Sequence, residues 1–465
     1  MPAIRPTLES TDARGRHRRV RPLIIAEAAN PEWTSVPLVG WHHSRALCDA
    51  CDGHVVTQVR NRGAFERAGF PAERVTFIDS EAVEARVFRL AERLRGGRDR
   101  GWTTVTALGA MSYPYFEYLV WKRFGARLRA GEFDLVHRLT PLSPAVPSFI
   151  AYACARARVP FVLGPINGGV PWPEGFEAAR RGEKERLASL RWVQRCMPGY
   201  SGTRLHASAI MIASRAALAD MPRRFRGRCV YVPENAVEPE VFGADPDRQP
   251  SPPLRIAFIG RLVSGKAVDI LLDAAAPLIR EGRVTIDIIG DGPEMGPLRA
   301  MVEREGIAGG VEFAGWVDHS KLRDRAGRSH VFGFPSVREF GGGAVVEAMS
   351  MGLVPVVLDY GGPGELVTPS TGFAIPMGSR SDIVARMRAV LSELVVDPSL
   401  VRAMSERARE RVLRWFTWRA KASQVAEVYS WVLGRRAAQP DWGMPFPDDG
   451  NARSSVSGAS SPERG

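Results

Sequence analysis

Short apolar runs alternate with longer amphipathic segments along most of this chain. A first set of runs comprises Leu23–Ala26, His54–Val59, Val75–Ile78, Leu135–His137, Phe161–Leu163, Ala209–Ala213 and Val230–Val232. A second set comprises Ile256–Ile259, Thr285–Ile289, Val311–Phe313, Val331–Phe334 and Pro355–Leu358. Runs of consecutive apolar positions read as strands buried on both faces, as in a parallel sheet. Between them apolar residues recur at helical spacing, as over Phe116–Leu128, Val268–Ile279, Met295–Glu305 and Ile383–Leu394. Strand–helix alternation predicts an α/β architecture with right-handed crossovers.

A break separates the two sets. Residues 238–253 hold Pro239, Pro246, Pro250, Pro252 and Pro253 among few apolar residues, the signature of a linker. The expected organisation is two Rossmann-like domains, over 21–237 and 254–417. A further helix, Trp418–Leu433, lies within 418–436. The arm 1–20 and the Gly-, Pro- and Ser-rich tail 437–465 have little to bury and read as disordered.

Composition narrows the class. With 45% hydrophobic residues in 465, the core is large enough to need no disulfide or metal staple. An odd count of five cysteines argues against a secreted disulfide framework. The N-terminus has no apolar run of signal-peptide length. No apolar stretch reaches the ~20 residues of a membrane span, and the longest, Ala145–Ala155, contains Pro147. A cytoplasmic protein, peripheral at most to the inner membrane face, is expected.

The net charge of +12 favours anionic partners. Part of it lies in the arm, on Arg14, Arg16, Arg18, Arg19 and Arg21. Arg180–Arg195 is basic with Leu187, Leu190 and Val193 at three-residue spacing, so it either lies on an anionic membrane or is a solvated helix face. Nucleic acid is disfavoured, because aromatics do not interleave with the basic runs.

The segment richest in chemistry is Arg338-Glu339-Phe340-Gly341-Gly342-Gly343-Ala344-Val345-Val346-Glu347, between a strand and a helix. Three glycines let a ligand approach the backbone, and amides at a helix N-terminus favour a phosphate. Glu339 and Glu347 flank this loop a helical turn or more apart. They read as two hydroxyl-binding groups rather than as a glycosidase pair facing across one bond. Sugar hydroxyls, a diphosphate and ribose hydroxyls have that sequence of polarity. Gly260-Arg261-Leu262-Val263-Ser264-Gly265-Lys266 follows the first strand of the second domain. Arg261 and Lys266 there suit the developing charge of a diphosphate leaving group. Ile289-Gly290-Asp291-Gly292-Pro293-Glu294 lacks the dinucleotide spacing and is expected to shape a nucleotide pocket.

The succession GRLVSGK, IIGDGPE, FAGWV, EFGGGAVVEAMSMGLVPVV and DYGGPGELV, over roughly 254–420, resembles the second domain of the retaining glycosyltransferases of family 4, of GT-B fold. The two glutamates separated by seven residues are a hallmark of that group. The resemblance implies that Glu339 contacts the donor sugar and that Phe340, Gly341 and Gly342 form the loop meeting sugar and phosphate. It implies ribose binding by Glu347 and diphosphate binding by Arg261 and Lys266. Gly343, Gly290 and Val317 are further donor-binding candidates. It also implies that the last helix crosses back onto the first domain. The expected donor is a nucleotide-diphosphate sugar, with no cofactor and no metal. The expected acceptor is a glycan or lipid-linked intermediate of cell-surface polysaccharide synthesis.

The first domain departs from the family pattern. Ala28-Ala29-Asn30-Pro31-Glu32-Trp33 stands where a Gly-rich turn is usual, with Gly40 before the next helix. Asn167, Gly168 and Gly169 are acceptor-side candidates after a strand. His137, at a strand end, is either catalytic, meeting an acceptor or sugar oxygen, or structural. His42 and His43 are expected to open a helix without a catalytic role, and the lone Cys48-x-x-Cys51 reads as buried small residues. The remaining alternatives are a sugar-nucleotide epimerase or a phosphorylase of the same fold.

Overall fold

A computed structural model describes residues 9–11, 17–81, 102–182, 197–243 and 251–444. Arg14 and Arg16 of the arm, most of the basic stretch 180–195, linker residues 244–250 and the tail from 445 lie outside the described residues. Within the arm expected to be disordered, β1 (Glu9–Thr11) and β2 (His17–Arg19) pair antiparallel, with Glu9 opposite Arg19. Cross-strand hydrogen bonds there satisfy backbone groups that composition alone leaves to solvent.

The first domain is a seven-stranded parallel sheet. Its strands are β3 (Pro22–Ala26), β4 (His54–Gln58), β5 (Val75–Ile78), β6 (Leu135–Thr140), β7 (Phe161–Ile166), β8 (Ala209–Ile212) and β9 (Cys229–Tyr231), in the order β5-β4-β3-β6-β7-β8-β9. Successive residues of β3 go to opposite cores. Leu23 and Ile25 pack with Phe116, Val120 and Phe124 of the helix Trp102–Arg129. Ile24 and Ala26 pack with Trp41 and Leu47 of the helix Val36–Ala50. Burial on both faces is why these strands read as continuous apolar runs.

The second domain has six parallel strands: β10 (Leu254–Ile259), β11 (Val284–Ile289), β12 (Val311–Gly315), β13 (Val331–Phe334), β14 (Val354–Leu358) and β15 (Phe373–Ile375). Their order is β12-β11-β10-β13-β14-β15. β15 escapes the hydrophobic pattern because three residues are too few to show a period.

The helix Trp418–Val432 returns to the first domain. Ala422, Val425, Ala426 and Tyr429 join the core formed by Trp41 and Leu47. The chain crosses between domains at two adjacent points: the amide of Val237 donates to Phe416 O at 2.8 Å, and Val237 bridges Thr417 in parallel. His42 stacks on Trp418, and its Nδ1 lies 3.2 Å from Glu238 Oε1, tying the helix Val36–Ala50 to this crossing. His42, His43 and Gly40 therefore lie inside that helix, not at or before its start. Without a Cβ, Gly40 lets the helix approach Ala28 O, which an added Cβ would meet at 2.1 Å.

The tail expected from 437 begins later. Gln439 donates to Cys229 O, Met444 is buried, and Trp442 packs against both domains. Two large apolar side chains anchor a stretch whose average composition is polar. The described cysteines, Cys48, Cys51, Cys154 and Cys229, are buried, and burial pushes the Cys48 and Cys51 thiols up to about 12.

Candidate functional site

In the second sheet the strand order reverses between β10 and β13. In open α/β sheets ligands bind outside the carboxyl ends of the strands at such a switch point. The end of β10 carries Arg261 and Lys266, and the end of β13 carries the Glu339 loop. The two segments meet there. Lys266 Nζ donates to Glu339 Oε2 in a very short ion pair and stands 4.9 Å from the Phe334 ring centroid. Arg261 is solvent-exposed.

The glycine loop turns into the helix Gly343–Ser350 through Gly342, at φ 72° and ψ 42°. This left-handed geometry costs glycine little and a side-chain-bearing residue more. The amides of Val345 and Val346 donate to Gly342 O, and those of Gly343 and Ala344 ahead of them are the donors this end can offer an anion. Glu347 follows one turn in. Its Oε1 lies 3.0 Å from His319 Nε2, and that hydrogen bond holds the imidazole above its ordinary pKa. The carbonyl of Glu339 accepts from Gly362 N at 3.3 Å. A Cβ at Gly361 would sit 2.1 Å from that oxygen, so two glycines of the following segment press on the loop.

Two of the glycines are also required by packing. A Cβ on Gly341 would lie 2.0 Å from Glu234 Oε1 and 2.3 Å from Asn235 Nδ2. Gly341 thus makes room for two side chains at the domain crossing. Gly290 is likewise a packing glycine: its Cβ would strike Gly260 O at 1.9 Å, and its amide donates to Gly315 O. Val317 is half-buried after β12.

Glu234 is the residue that the sequence reading misses. It is 6% exposed, accepts from Asn167 Nδ2 at 2.6 Å, and keeps Oε2 without a hydrogen-bond partner. Burial, with Asn167 pulling the other way, pushes its carboxyl up to about 7. Lys421, fully buried nearby, is pulled down to about 7 by desolvation, against which Glu234 acts. The signal available in sequence was a lone carboxylate in Pro233-Glu234-Asn235, between β9 and the linker.

On the first-domain side, Asn167 is buried and committed internally. Its Oδ1 accepts from Gly168 N and Ser214 Oγ, so the side chain orients Glu234 and the loop. Gly168 and Gly169 are half-buried at positive φ of 129° and 79°. The structure does not bring His137 to this region. It is fully buried: Nε2 donates to Gly164 O at 2.5 Å, and Nδ1 accepts from the Tyr429 hydroxyl at 2.6 Å. Desolvation lowers it to about 4, so it is a neutral tie between β6, β7 and the last helix. Phe161–Ile166 places Gly164 O directly in its path, which a strand-end reading does not foresee.

The domains touch along this face. Glu365 accepts from the amide of Arg215 and the hydroxyl of Tyr231. Tyr360 donates to Pro171 O at 2.8 Å, and Arg338 lies between the Trp172 and Phe340 rings, 5.1 and 5.2 Å from their centroids. Among the described residues no three His, Cys, Asp or Glu side chains converge as a metal site, and no helix is long and apolar enough to cross a membrane.

Comparison with known proteins follows this division. Residues 253–393 match the family model for glycosyl transferases group 1. The gpi3 subunit of phosphatidylinositol N-acetylglucosaminyltransferase from Schizosaccharomyces pombe is 32% identical over 203 residues, 43% of each chain. The alpha-D-kanosaminyltransferase of Streptomyces kanamyceticus is 27% identical over 176 residues, 37% of this chain and 45% of that protein. The chain thus matches less than half the length of these curated relatives. Solved structures match more widely. Anabaena HepE superposes with a TM-score of 0.57 at 17% identity, over 88% of this chain and 99% of that one. Sucrose-phosphate synthase from Thermosynechococcus elongatus gives 0.56 at 15%, over 90% and 100%. The architecture is therefore the two-domain GT-B fold, and residues 253–393 of its second domain are similar to the glycosyl transferases group 1.

Proposed function

We propose that this chain is a retaining glycosyltransferase that moves a hexosyl group from a nucleotide-diphosphate sugar to an acceptor hydroxyl. The observation that carries the reading is the meeting of Lys266, Glu339 and a helix N-terminus at the switch point between β10 and β13. In this reading Glu339 and the Phe340–Gly342 backbone hold the sugar. Amides near Gly343, with Arg261 and Lys266, hold the diphosphate, and Glu347 takes the ribose. Gly341 and Gly290 act by letting Glu234 and Gly260 pack closely.

Transfer proceeds on one face of the sugar. The bond from the anomeric carbon to the diphosphate oxygen breaks as the acceptor oxygen bonds to that carbon. The acceptor proton passes to the departing diphosphate, whose charge Arg261 and Lys266 stabilise. The acceptor is a glycan or lipid-linked intermediate, bound on the Gly168–Gly169 side. Support for a lipid-linked acceptor comes from the name of the phosphatidylinositol-modifying relative.

The test is a hydrolysis screen of nucleotide sugars without acceptor, repeated with Glu339→Ala. Release of a nucleoside diphosphate from one donor, lost in the variant, is expected. Release that survives Glu339→Ala unchanged contradicts the assignment.

A further inference from the structure

Half of the exposed large hydrophobic residues among those described gather on one face of the first domain. Tyr115, Tyr118, Phe149, Tyr152 and Leu205 are 37%, 59%, 46%, 54% and 56% exposed. On the helix Trp102–Arg129, Tyr115, Tyr118, Lys122 and Arg129 follow at intervals of three, four and seven, which is one stripe. The next helices continue the face. Arg156 stands 5.9 Å from the Tyr152 ring centroid, Tyr152 packs edge-on to His206, and Phe149 lies under Gly199.

Charge on this face is predominantly positive, although half-buried Asp220 lies within electrostatic reach of Arg204. Residues 112–129, 147–158, 199–206 and 222–228 contain a single acid, Glu117, and it is buried, accepting from Ser148 Oγ and Ile150 N. Lys122, Arg123, Arg129, Arg156, Arg223 and Arg224 are exposed there. Exposed aromatic rings among cations, with no acid between them, complement a negatively charged surface that also accepts apolar groups.

We infer that this face docks the protein on an anionic lipid surface, with Tyr118, Phe149, Tyr152 and Leu205 at headgroup depth and the cations over the lipid phosphates. Tyrosines favour that depth, and cations near an anionic leaflet are drawn to it. The face is joined rigidly to the cleft. Buried Arg138 and Arg204 donate to Val146 O and Pro144 O, fixing the loop 141–149, and Pro144 abuts Gly168. A lipid-linked acceptor held at the membrane is thereby delivered beside Gly168. That last step rests on the proposed function, whereas the docking itself does not.

The experiment is co-sedimentation of the full chain with phosphatidylglycerol–phosphatidylcholine vesicles and with pure phosphatidylcholine vesicles. At low salt the anionic vesicles are expected to retain at least about tenfold more protein, falling as salt rises. The variants Y118S/F149S/Y152S and K122E/R156E are each expected to lose about tenfold of that binding while keeping the wild-type melting temperature. If the first variant fails to fold, the second decides. Equal binding to both vesicles, no binding, or salt-sensitive binding to a single-stranded oligonucleotide in place of vesicles overturns the inference. Nucleotide-sugar affinity measured on the same protein is separate: vesicle binding without donor binding upholds this face and sinks the proposed activity.

Discussion

The contact between Gly341 and Glu234 allows a sharp test by substitution. Gly341→Ala places a methyl 2.0 Å from Glu234 Oε1 and 2.3 Å from Asn235 Nδ2. A carbon settles about 3.5 Å from a neighbouring heavy atom, so the carboxylate or the loop must retreat by about 1.5 Å. Glu234 has little room, being 6% exposed and held by Asn167. Overpacking of this kind costs roughly 1–3 kcal/mol. A displacement near 1 Å in a positioning loop lowers turnover by up to about 100-fold. Gly341→Ala is therefore expected to lower the melting temperature by a few degrees and kcat/KM for donor hydrolysis about 10- to 100-fold. The diagnostic arm is the double variant with Glu234→Ala, which removes the closer clash. Chemical denaturation should show it less destabilised than the sum of the single changes, by at least about 0.5 kcal/mol. Strict additivity, or a Gly341→Ala protein of wild-type activity, refutes the reasoning.

Lys266→Ala should lower turnover about 100- to 1000-fold with a smaller effect on donor affinity, since its cation meets charge that grows as the diphosphate leaves; equal losses in affinity and turnover count against this role. Glu365 is 3% exposed, and burial, opposed by its hydrogen bond from Tyr231, pushes its carboxyl up to about 7. Its folded pKa lies above the unfolded value, so its stabilising effect is complete below about 4.5 and is lost as pH rises through about 7. Glu365→Gln should therefore gain stability relative to wild type between pH 5 and pH 8.5, by up to about 3 kcal/mol, in thermal melts; a gap that does not move with pH contradicts this. His137→Phe should lower the melting temperature by several degrees, because Tyr429 and Gly164 lose a partner, yet leave the pH profile of donor hydrolysis unmoved. A shifted profile would return His137 to the chemistry.

The elements carrying the site were legible because burial on both strand faces leaves continuous apolar runs, as at Ile256–Ile259 and Val331–Phe334. The Glu339 loop was legible because glycines and carboxylates at fixed spacing state a local requirement. Partnerships across the domain crossing were not legible. Glu234 lies 107 residues before Gly341 in the chain, and nothing local to either records their contact. His137 reads as a free strand-end side chain until Tyr429, on the returning helix, is placed against it. The tail start was misplaced for a similar reason: Trp442 and Met444 are isolated apolar residues, buried only once Trp442 packs against both domains and Met444 joins the larger core.

In the proposed function Glu339, the glycine loop and Glu347 together hold a nucleotide-diphosphate sugar, and everything else in that reading depends on this grip. Its most direct test is calorimetric titration of UDP-, GDP-, ADP- and dTDP-linked hexoses into the wild-type chain and Glu347→Ala. Binding of at least one donor to the wild type is expected, weakened about 10- to 100-fold in the variant as a charged hydrogen-bonding partner of the ribose is lost. Absence of binding by every donor, or equal affinity in Glu347→Ala, would contradict it.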